Sequence, residues 1–361
     1  MNYTISFTVK VSTHNQYFEN QGIMTSRDLN DIISTLRLFL TELVNHGGNV
    51  DSVSSILERC GRNVNYVIVW EDRLVINGMD GFFTIYRNGR KLKRIDKLGR
   101  DVSLRFVVNN REVIGILEVL SEEDVINISK RLSKNLILHD LYSDKGLVRD
   151  NNEDSALSIS IKLCTPHGVK SWHVLAVADG VGGFEAGERA SLYMIRNLLD
   201  YSPIISNDNP FKVFESIINR THMEIQEYAR YLGKSCGTTF TGCLITNNEM
   251  YIAHIGDSRV YIIDDYGIEQ ITMDHKVDAH TISQAVGVTI NRIDMYGPIN
   301  LKKNSYLLLT TDGLTDLVSN EEIYQIVMRF RYPKLITRKL VDLANEKGGT
   351  DNITVITAKI I

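Results

Sequence analysis

Aspartates stand at the ends of several apolar, strand-like runs, and this pattern constrains the fold more than any other feature of the chain. Asp179 follows HVLAVA, Asp312 follows YLLLTT, and Asp351 comes just before ITVITA. Asp154 precedes ALSISIKL, and Asp274 comes after IEQIT. If these strands share one core, their ends can converge and bring the five carboxylates together.

Converged carboxylates repel one another strongly in a low dielectric, so such a set requires a cation. Oxygen ligands alone suit Mg²⁺ or Mn²⁺ better than zinc. Two such ions about 3.5–4 Å apart would lower the pKa of a bridging water and clamp a phosphoryl group for in-line attack. Taken singly, Asp179-Gly180 and Asp312-Gly313 are also compatible with plain turns, since Asp-Gly is a common hairpin signal. The turn interpretation does not explain five such positions in one chain.

Composition narrows the class of protein. The formal net charge of -4 gives no basic field that would attract nucleic acid or a membrane surface. No apolar stretch reaches the roughly 18 residues that a membrane span needs, and the first residues do not resemble a signal peptide. The four cysteines, Cys60, Cys164, Cys236 and Cys243, form no CxxC pair, which argues against a zinc site or a disulfide framework. We therefore expect a cytoplasmic protein without nucleic-acid or membrane partners.

The length of 361 residues and the change of pattern along the chain predict two domains, 1–135 and 136–361. Residues 3–11 alternate like a strand, residues 28–45 carry apolar side chains at helical spacing, and residues 121–145 begin polar and favour a helix. Between them lie short apolar runs separated by turn signals. The first domain is therefore predicted to be a separate, smaller α+β domain with a regulatory or docking role.

Two turn signals in that region predict hairpins, at Asn88-Gly89 and Asn109-Asn110. Basic residues are dense between Arg87 and Arg105. They form either a solvated hairpin edge, where lysines block further strand pairing, or a docking surface for an acidic or phosphorylated partner.

The second domain mixes strand-like runs with longer helical stretches. Helices are predicted at 186–200, 211–231 and 333–346, and Ser319 with Glu322 forms a capping box before IYQIVMRF. Strands joined by hairpins with helices grouped between them predict antiparallel sheets covered by helices, an α+β fold.

In order, the polar segments resemble the motif series of the type 2C metal-dependent protein phosphatases, the PPM family. They are RDNNED (149–154), VADGVGG (177–183), GTT (237–239), IGDSR (255–259), DHK (274–276), TTDG (310–313) and GTDNIT (349–354). The resemblance covers about residues 145–361. GFEAGERAS (183–191) and ISQAVG (282–287) resemble the bacterial-type branch.

The resemblance implies a β-sandwich of two antiparallel sheets flanked by helices, in α-β-β-α layers. It also implies a hydrolase that dephosphorylates serine and threonine in signalling, by direct attack of a metal-bridging hydroxide. Manganese or magnesium would be the cofactor, as two core ions and a weaker third. Asp179, Asp312 and Asp351 would ligate the core ions with the backbone carbonyl of Gly180.

The remaining site residues also follow from the resemblance. Glu153 would hold a metal-bound water, and Asp154 would support that shell. Arg149 would bind two phosphate oxygens through its planar fork. Asp274 would share the third ion with Asp312.

Where many relatives carry a histidine proposed as the general acid, this chain has Val181 and Phe184. The general acid is therefore left unassigned, although His254 and His275 lie near other motifs. In GDSR, Asp257 and Arg259 are interpreted as a structural pair.

The expected partner is a phosphorylated protein, with a cognate Ser/Thr kinase as its counterpart; the sequence gives no oligomeric state. Two alternatives stay open. One is a pseudophosphatase that acts as a binding module, against which the intact carboxylate set argues. The other is a phosphatase of a small phosphorylated metabolite, because the family core binds phosphate rather than the group attached to it.

Overall fold

A computed structural model describes residues 3–13, 16–26, 28–45, 65–70, 73–77, 83–87, 90–95, 103–109, 112–118, 137–165, 168–182, 185–202, 209–278 and 281–361. The helices of this part are α1 (Leu29–Asn45), α2 (Glu185–Tyr201), α3 (Pro210–Leu232), α4 (Asp312–Thr315), α5 (Asn320–Phe330) and α6 (Pro333–Glu346). None of the helices in these ranges is both long and apolar enough to cross a membrane.

The strands up to the motif region are β1 (Tyr3–Thr13), β2 (Gln16–Ser26), β3 (Asn65–Trp70), β4 (Arg73–Asn77), β5 (Phe83–Arg87), β6 (Arg90–Ile95), β7 (Ser103–Asn109), β8 (Glu112–Glu118), β9 (Ile137–Asp144), β10 (Ser155–Thr165) and β11 (Gly168–Ala178). The later strands are β12 (Gly180–Val181), β13 (Gly237–Thr238), β14 (Phe240–Thr246), β15 (Glu249–Ile255), β16 (Arg259–Asp264), β17 (Gly267–Gln270), β18 (Lys276–Asp278), β19 (Thr281–Ile282), β20 (Asp294–Asn300), β21 (Tyr306–Thr310) and β22 (Ile353–Ile360).

The chain divides into two compact units. The first comprises Met1–Val9, Glu19–Leu136 and Ser160–Trp172, and the second comprises Lys10–Phe18, Ile137–Ile159 and His173–Ile361. Strands β1, β2, β10 and β11 contribute residues to both units. The predicted domain boundary between residues 135 and 136 stays a prediction. The second unit also includes a short segment near the N-terminus, Lys10–Phe18.

In the first unit, the buried residues of β1 and of helix α1 recur at the spacings expected of a strand and of a helix. Ile5 and Phe7 alternate with less buried neighbours along β1, as a strand requires. Helix α1 buries Ile32, Thr35, Leu36, Phe39, Leu40 and Leu43. The rings of Phe7 and Phe39 lie 5.4 Å apart, so the strand packs on the helix. The predictions of both elements are confirmed.

The two predicted hairpins are also confirmed by their strand pairing. Arg87 of β5 faces Arg90 of β6, and Asn109 of β7 faces Glu112 of β8, so each connection has two residues. The connecting residues lie outside the described ones, as do the side chains of the basic stretch from Arg87 to Arg105.

The helix expected within 121–145 is wrong for its last part, because Ile137–Asp144 form strand β9. This strand pairs antiparallel with β22 from Ile137 opposite Ile360 to Asp144 opposite Ile353. Ile137, His139 and Leu141 are buried at alternate positions, and Asp140 between them is buried too, so polar residues within and before the strand obscured its pattern. Residues 119–136 lie outside the described ones.

The second unit contains two antiparallel sheets. One has the strand order β17-β16-β21-β22-β9, and the other contains β20-β15-β14-β11-β10 with the ends of β1 and β2. A first hydrophobic core takes residues from both sheets, such as Leu307 and Leu309 of β21 and Cys243 of β14. The sheets therefore pack face to face, as in a β-sandwich.

The opposite face of the β17-to-β9 sheet is covered by helices. Leu308 of β21 packs there with residues of α4, α5 and α6, including Leu314, Ile323 and Leu340. Helices α2 and α3 lie on the side of the other sheet, the one that contains β14. There the rings of Phe214 in α3 and Phe240 in β14 are 6.1 Å apart. The unit thus has the predicted α-β-β-α layers, and the capping box of Ser319 and Glu322 is confirmed at the start of α5.

Within the second unit, a buried ion pair ties the N-terminal segment to β9. The Lys10 ammonium lies 2.7 Å from Asp140 Oδ1, and the two side chains are only 9% and 6% exposed. A charge removed from water to this extent is strongly destabilising unless a partner compensates it. Lys10–Phe18 is therefore a structural part of this unit.

We expect Lys10→Met to lower the free energy of unfolding by about 3–5 kcal/mol, because it leaves a buried carboxylate without its ammonium partner. Lys10→Met/Asp140→Leu should recover most of that loss. The matched control is Lys339→Met, which removes the half-exposed Lys339–Asp342 pair and should change the free energy by no more than about 1 kcal/mol. Urea denaturation measures all three, and a double variant no more stable than Lys10→Met would contradict the assignment.

Candidate active site

Asp154 is a fully buried carboxylate at the start of β10. Its Oδ2 accepts hydrogen bonds from Thr311 Oγ1, at 2.9 Å, and from Thr354 Oγ1. These threonines belong to the segments that carry Asp312 and Asp351, so Asp154 joins three motifs. Its other oxygen, Oδ1, is buried without a hydrogen-bond partner among the described residues.

Asp179 and Gly180 are fixed by backbone contacts at the end of β11. The carbonyl of Asp179 accepts from Thr239 N at 2.8 Å and from Thr238 Oγ1 at 2.9 Å. Gly180 N donates to the carbonyl of Glu153 at 3.2 Å. A Cβ on Gly180 would lie 2.2 Å from the carbonyl oxygen of Gly187, so only glycine fits here.

Asp312 and Asp351 lie on neighbouring segments. Asp312 begins the short helix α4. Gly313 packs so closely on the Asp351 segment that a Cβ would lie 2.0 Å from the carbonyl oxygen of Asn352. Asp312 Oδ1, like Asp154 Oδ1, is buried and has no partner among the described residues.

Asn352 holds the motif loop around Arg149 in place. Its Nδ2 donates to the carbonyls of Lys145 and Asn151, at 2.9 and 2.8 Å, and its Oδ1 accepts from Glu153 N at 2.8 Å. Sequence reasoning quoted Asn352 within its motif but gave it no role. Nothing in the one-dimensional pattern shows that its amide spans both ends of a loop some 200 residues earlier.

Arg149 reaches this group from an exposed loop. Its Nη2 lies 2.7 Å from Asp351 Oδ2, while its side chain remains 55% exposed. The guanidinium is therefore both oriented by a site carboxylate and accessible to an incoming anion. Burial raises the pKa of the half-buried Glu153, and the charge of the nearby Arg149 offsets only part of that rise.

The carboxylates lie within one another's electrostatic field. Burial raises the pKa of Asp154 and Asp179 well above the usual range for aspartate, and neighbouring carboxylates raise both further. Burial, followed by the charges of Asp257 and Asp351, raises the pKa of Asp312 to about 7. Asp154, Asp179 and Asp312 thus lie near enough to other carboxylates for the charges to repel, which is unfavourable without a compensating cation.

Asp257 belongs to this charge cluster, which its interpretation as a structural residue did not anticipate. Its charge raises the pKa of both Asp179 and Asp312. The Lys276 ammonium lies 3.1 Å from Asp257 Oδ2 and 3.8 Å from Asp316 Oδ1, and it offsets part of the negative charge. The motifs GDSR and DHK were both recognised, but their spacing does not show that they meet.

Asp274 has a different environment. Arg259 Nη2 donates to Asp274 Oδ2 at 2.7 Å, and Arg259 Nε donates to both carboxylate oxygens at 3.0 and 3.1 Å. Gln270 Nε2 also donates to Oδ1 at 3.1 Å. These contacts engage both oxygens of Asp274, and they give no support to its sharing a third ion with Asp312.

The oxygen-rich cluster fits a hard divalent cation. Within the part of the chain that the structure describes, no three His, Cys, Asp or Glu side chains already converge as a complete ligand set. Asp351 explains part of this, because its oxygens accept from Arg149 and from Asn352 N. Mg²⁺ commonly uses only one or two carboxylates and keeps several waters. The unpartnered oxygens of Asp154 and Asp312 are suited to that kind of site.

Neither nearby histidine is placed as a proton donor to a leaving group. His254 is buried, with its ring nitrogens within 2.8 Å of Thr241 Oγ1 and 3.0 Å of the Met273 carbonyl, and burial lowers its pKa to about 4. His275 Nδ1 accepts from Gly256 N at 3.0 Å. Val181 is half-buried in β12, and Phe184 lies outside the described residues.

A backbone ladder links Gly180 to helix α3. Gly180 pairs with Thr238, and Thr238 exchanges two 2.9 Å hydrogen bonds with Val286. The next residue, Gly287, donates from its N–H to His222 Nδ1 at 2.9 Å. His222 therefore fixes the outer end of this ladder, and it does so with an unprotonated Nδ1.

We expect the metal-free protein to lose stability as the pH rises from about 4 to about 7. The folded state holds a proton on Asp312 up to about pH 7, whereas the unfolded chain releases it near pH 4, so folding binds a proton in this window. Asp312→Asn should flatten the pH dependence and raise the free energy of unfolding at pH 7 by up to roughly 4 kcal/mol. Urea unfolding in EDTA from pH 4.5 to 8 measures this, with the exposed Asp265→Asn as control. Equal slopes for Asp312→Asn and the unsubstituted protein would contradict the prediction.

The ladder predicts a different outcome for two substitutions of His222. His222→Leu leaves the Gly287 N–H without its acceptor and should lower the free energy of unfolding by about 1–3 kcal/mol. His222→Asn keeps an acceptor oxygen near the position of Nδ1 and should lose less than half of that. Denaturant unfolding compares the two, and equal losses would show that the hydrogen bond is unimportant.

Comparison with known proteins agrees with this arrangement. The sequence model of the family described as protein phosphatase 2C matches residues 143–281 and 297–353. The chain is 31% identical over 242 residues to the protein phosphatase PhpP of Streptococcus pneumoniae, which covers 60% of this chain and 94% of PhpP.

A second relative is the serine/threonine protein phosphatase PstP of Mycobacterium tuberculosis, 28% identical over 241 residues and 61% of this chain. That match spans only 44% of the length of PstP. A crystal structure of the PstP catalytic domain in complex with two manganese ions superposes with a TM-score of 0.54 at 28% identity, covering 63% of this chain and all of that domain. On the family match and the shared fold, the chain belongs to the protein phosphatase 2C family.

Proposed function

We propose that the chain is a metal-dependent serine/threonine protein phosphatase. The observation that carries the proposal is the group of carboxylates Asp154, Asp179, Asp312 and Asp351 beside the exposed guanidinium of Arg149, in which burial and neighbouring carboxylates raise the pKa of Asp154, Asp179 and Asp312. Such a group suits divalent cations together with an incoming phosphate. The relatives PhpP and PstP, which carry the name of protein phosphatases, favour a phosphorylated protein as substrate.

Asp179, Asp312, Asp351 and the carbonyl of Gly180 would hold Mn²⁺ or Mg²⁺ in this proposal. When bound, such ions make water a nucleophile near neutral pH and neutralise phosphoryl charge. Glu153 and Asp154 would orient water around the ions. Asp274 is not included, because Arg259 and Gln270 engage its oxygens.

Arg149 would bind two phosphate oxygens through its fork and so orient the phosphorus for in-line attack. Asp351 holds the guanidinium in place before substrate arrives. In the hydrolysis, the bond between phosphorus and the serine or threonine oxygen breaks, and that oxygen takes up a proton. No described side chain is assigned as the donor.

The proposal also includes the compartment in which the protein acts and the enzyme that opposes it. Cys236 and Cys243 are buried free thiols, as is usual in a reducing compartment, which favours the cytoplasm. A Ser/Thr kinase acting on the same proteins is the expected counterpart. Dephosphorylation of a small metabolite is the alternative, and a substrate comparison distinguishes it.

The test measures phosphate release from phosphothreonine peptides and from p-nitrophenyl phosphate, with Mn²⁺, with Mg²⁺ and with EDTA. We expect turnover with a metal only, and a loss of at least about 10³-fold in Asp312→Ala, because several kcal/mol of transition-state stabilisation depend on the ions. Asp265→Ala, at an exposed turn, is the matched control and should keep full activity.

Full activity in EDTA, or in Asp312→Ala, would rule out the proposed chemistry. A folded protein that binds Mn²⁺ but hydrolyses neither substrate would favour a binding module instead. Turnover of p-nitrophenyl phosphate without turnover of any peptide would favour the metabolite alternative.

A further inference from the structure

We propose that Leu147 and Val148 form an apolar lip that docks the substrate polypeptide beside the phosphorylated residue. The proposal rests on the proposed phosphatase function and specifies its substrate: a protein segment with an apolar side chain within about two residues of the phosphoserine or phosphothreonine. The name apolar lip refers to these two residues.

The backbone of the apolar lip is held rigidly by the turn that carries Asp351. The N–H groups of Leu147 and Val148 both donate to the carbonyl of Gly349, at 2.8 and 3.2 Å. Gly146, with φ of +76°, packs so closely that a Cβ would lie 2.2 Å from the Asp351 carbonyl oxygen. These contacts fix the backbone of this segment against the turn that carries Asp351.

The two side chains nevertheless point into solvent. Leu147 is 69% and Val148 is 65% exposed. Single exposed apolar residues are ordinary, but here two adjacent ones stand on a backbone segment that is hydrogen-bonded to Gly349. Contact with a partner would remove this apolar surface from water, which is favourable.

The position of the apolar lip identifies its occupant. Val148 is joined directly to Arg149, whose Nη2 lies 2.7 Å from Asp351 Oδ2. Consecutive Cα atoms are about 3.8 Å apart, and an extended peptide advances about 3.3 Å per residue. When Arg149 holds the phosphate, residues one or two positions from the phosphorylated residue therefore come within reach of the apolar lip.

This arrangement commits the proposal to a protein substrate. A small phosphorylated metabolite has no neighbouring side chain to place there, and p-nitrophenyl phosphate has none either. Turnover of p-nitrophenyl phosphate therefore measures phosphate hydrolysis alone. It separates the docking proposal from the phosphatase proposal on which it rests.

The experiment uses the full chain with Mn²⁺ and a set of phosphothreonine peptides. In each peptide a single leucine occupies one position from −3 to +3, and the other flanking residues are serine and glycine. We expect kcat/KM to rise about five- to tenfold when leucine stands at one position within two residues of the phosphothreonine, in line with the modest discrimination that apolar contacts give. The effect should lie mainly in KM.

Leu147→Asn/Val148→Thr keeps the approximate shape of both side chains and removes their apolar character. In this variant the preference for the leucine peptide should fall to within about twofold of the leucine-free peptide. Leu335→Asn is the matched control: Leu335 is 49% exposed in the first turn of α6, at the opposite end of that helix from the Gly349 turn. It should keep the full preference.

Two results would overturn the apolar lip: an unsubstituted protein that treats all peptides alike, or a double variant that retains the leucine preference. Both leave metal-dependent turnover of p-nitrophenyl phosphate intact, so the phosphatase proposal survives them. If the unsubstituted protein does not hydrolyse p-nitrophenyl phosphate with a metal, both proposals fail together.

Discussion

The mutual repulsion of buried carboxylates is the constraint around which this unit is organised. Asp154, Asp179 and Asp312 come from three segments far apart in sequence; burial raises the pKa of all three, and the charge of Asp312 raises the pKa of both Asp154 and Asp179 further. A chain could avoid this unfavourable arrangement by letting any one segment relax outward. The packing around the cluster prevents that, so the folded protein holds the charges ready for a cation.

Short-range contacts of the backbone do most of this holding. Gly180 and Gly313 lie where any side chain would collide with a neighbouring carbonyl, so the segments bearing Asp179 and Asp312 approach other backbone directly. Asn352 then satisfies polar groups at both ends of the Arg149 loop. Because the anchors of Asp179 and Asp312 are backbone contacts, these segments are held without using up every carboxylate oxygen, and Oδ1 of Asp154 and Oδ1 of Asp312 have no partner among the described residues.

Most long helices and strands were predictable because the apolar residues of each recur at the spacing of its own type of secondary structure. Helix α6 was predicted with its observed bounds, since proline starts it and its apolar face repeats regularly. Short elements were not predictable: β12 and β13 have two residues each and exist only because Gly180 pairs with Thr238 across the fold. Asp312 looked like the residue after a strand, yet it begins the helical turn α4.

In the site, too, features that depend on neighbouring residues in the sequence were predictable, and contacts between distant segments were not. The sequence pointed to the carboxylates of the site because each stands at a strand end with a recognisable turn, but it counted Asp274 among them. It did not indicate that Asp257 joins them, or that Asp274 pairs with Arg259. Both are acidic residues in quoted motifs, and their different partners, Lys276 for Asp257 and Arg259 for Asp274, come from contacts that the sequence does not show.

The N-terminal segment bears on how the role of the first unit can be studied. Lys10–Phe18 belongs to the same compact unit as the site, and Lys10 compensates the buried charge of Asp140. A truncated chain that begins near residue 138 lacks this ammonium along with everything before it. A changed rate in that truncated chain would then reflect a destabilised sandwich as much as the loss of a regulatory role of the first unit. Substitutions within Glu19–Leu136 that leave Lys10 in place are the informative route, because they alter the first unit and keep the ion pair on which the second one depends.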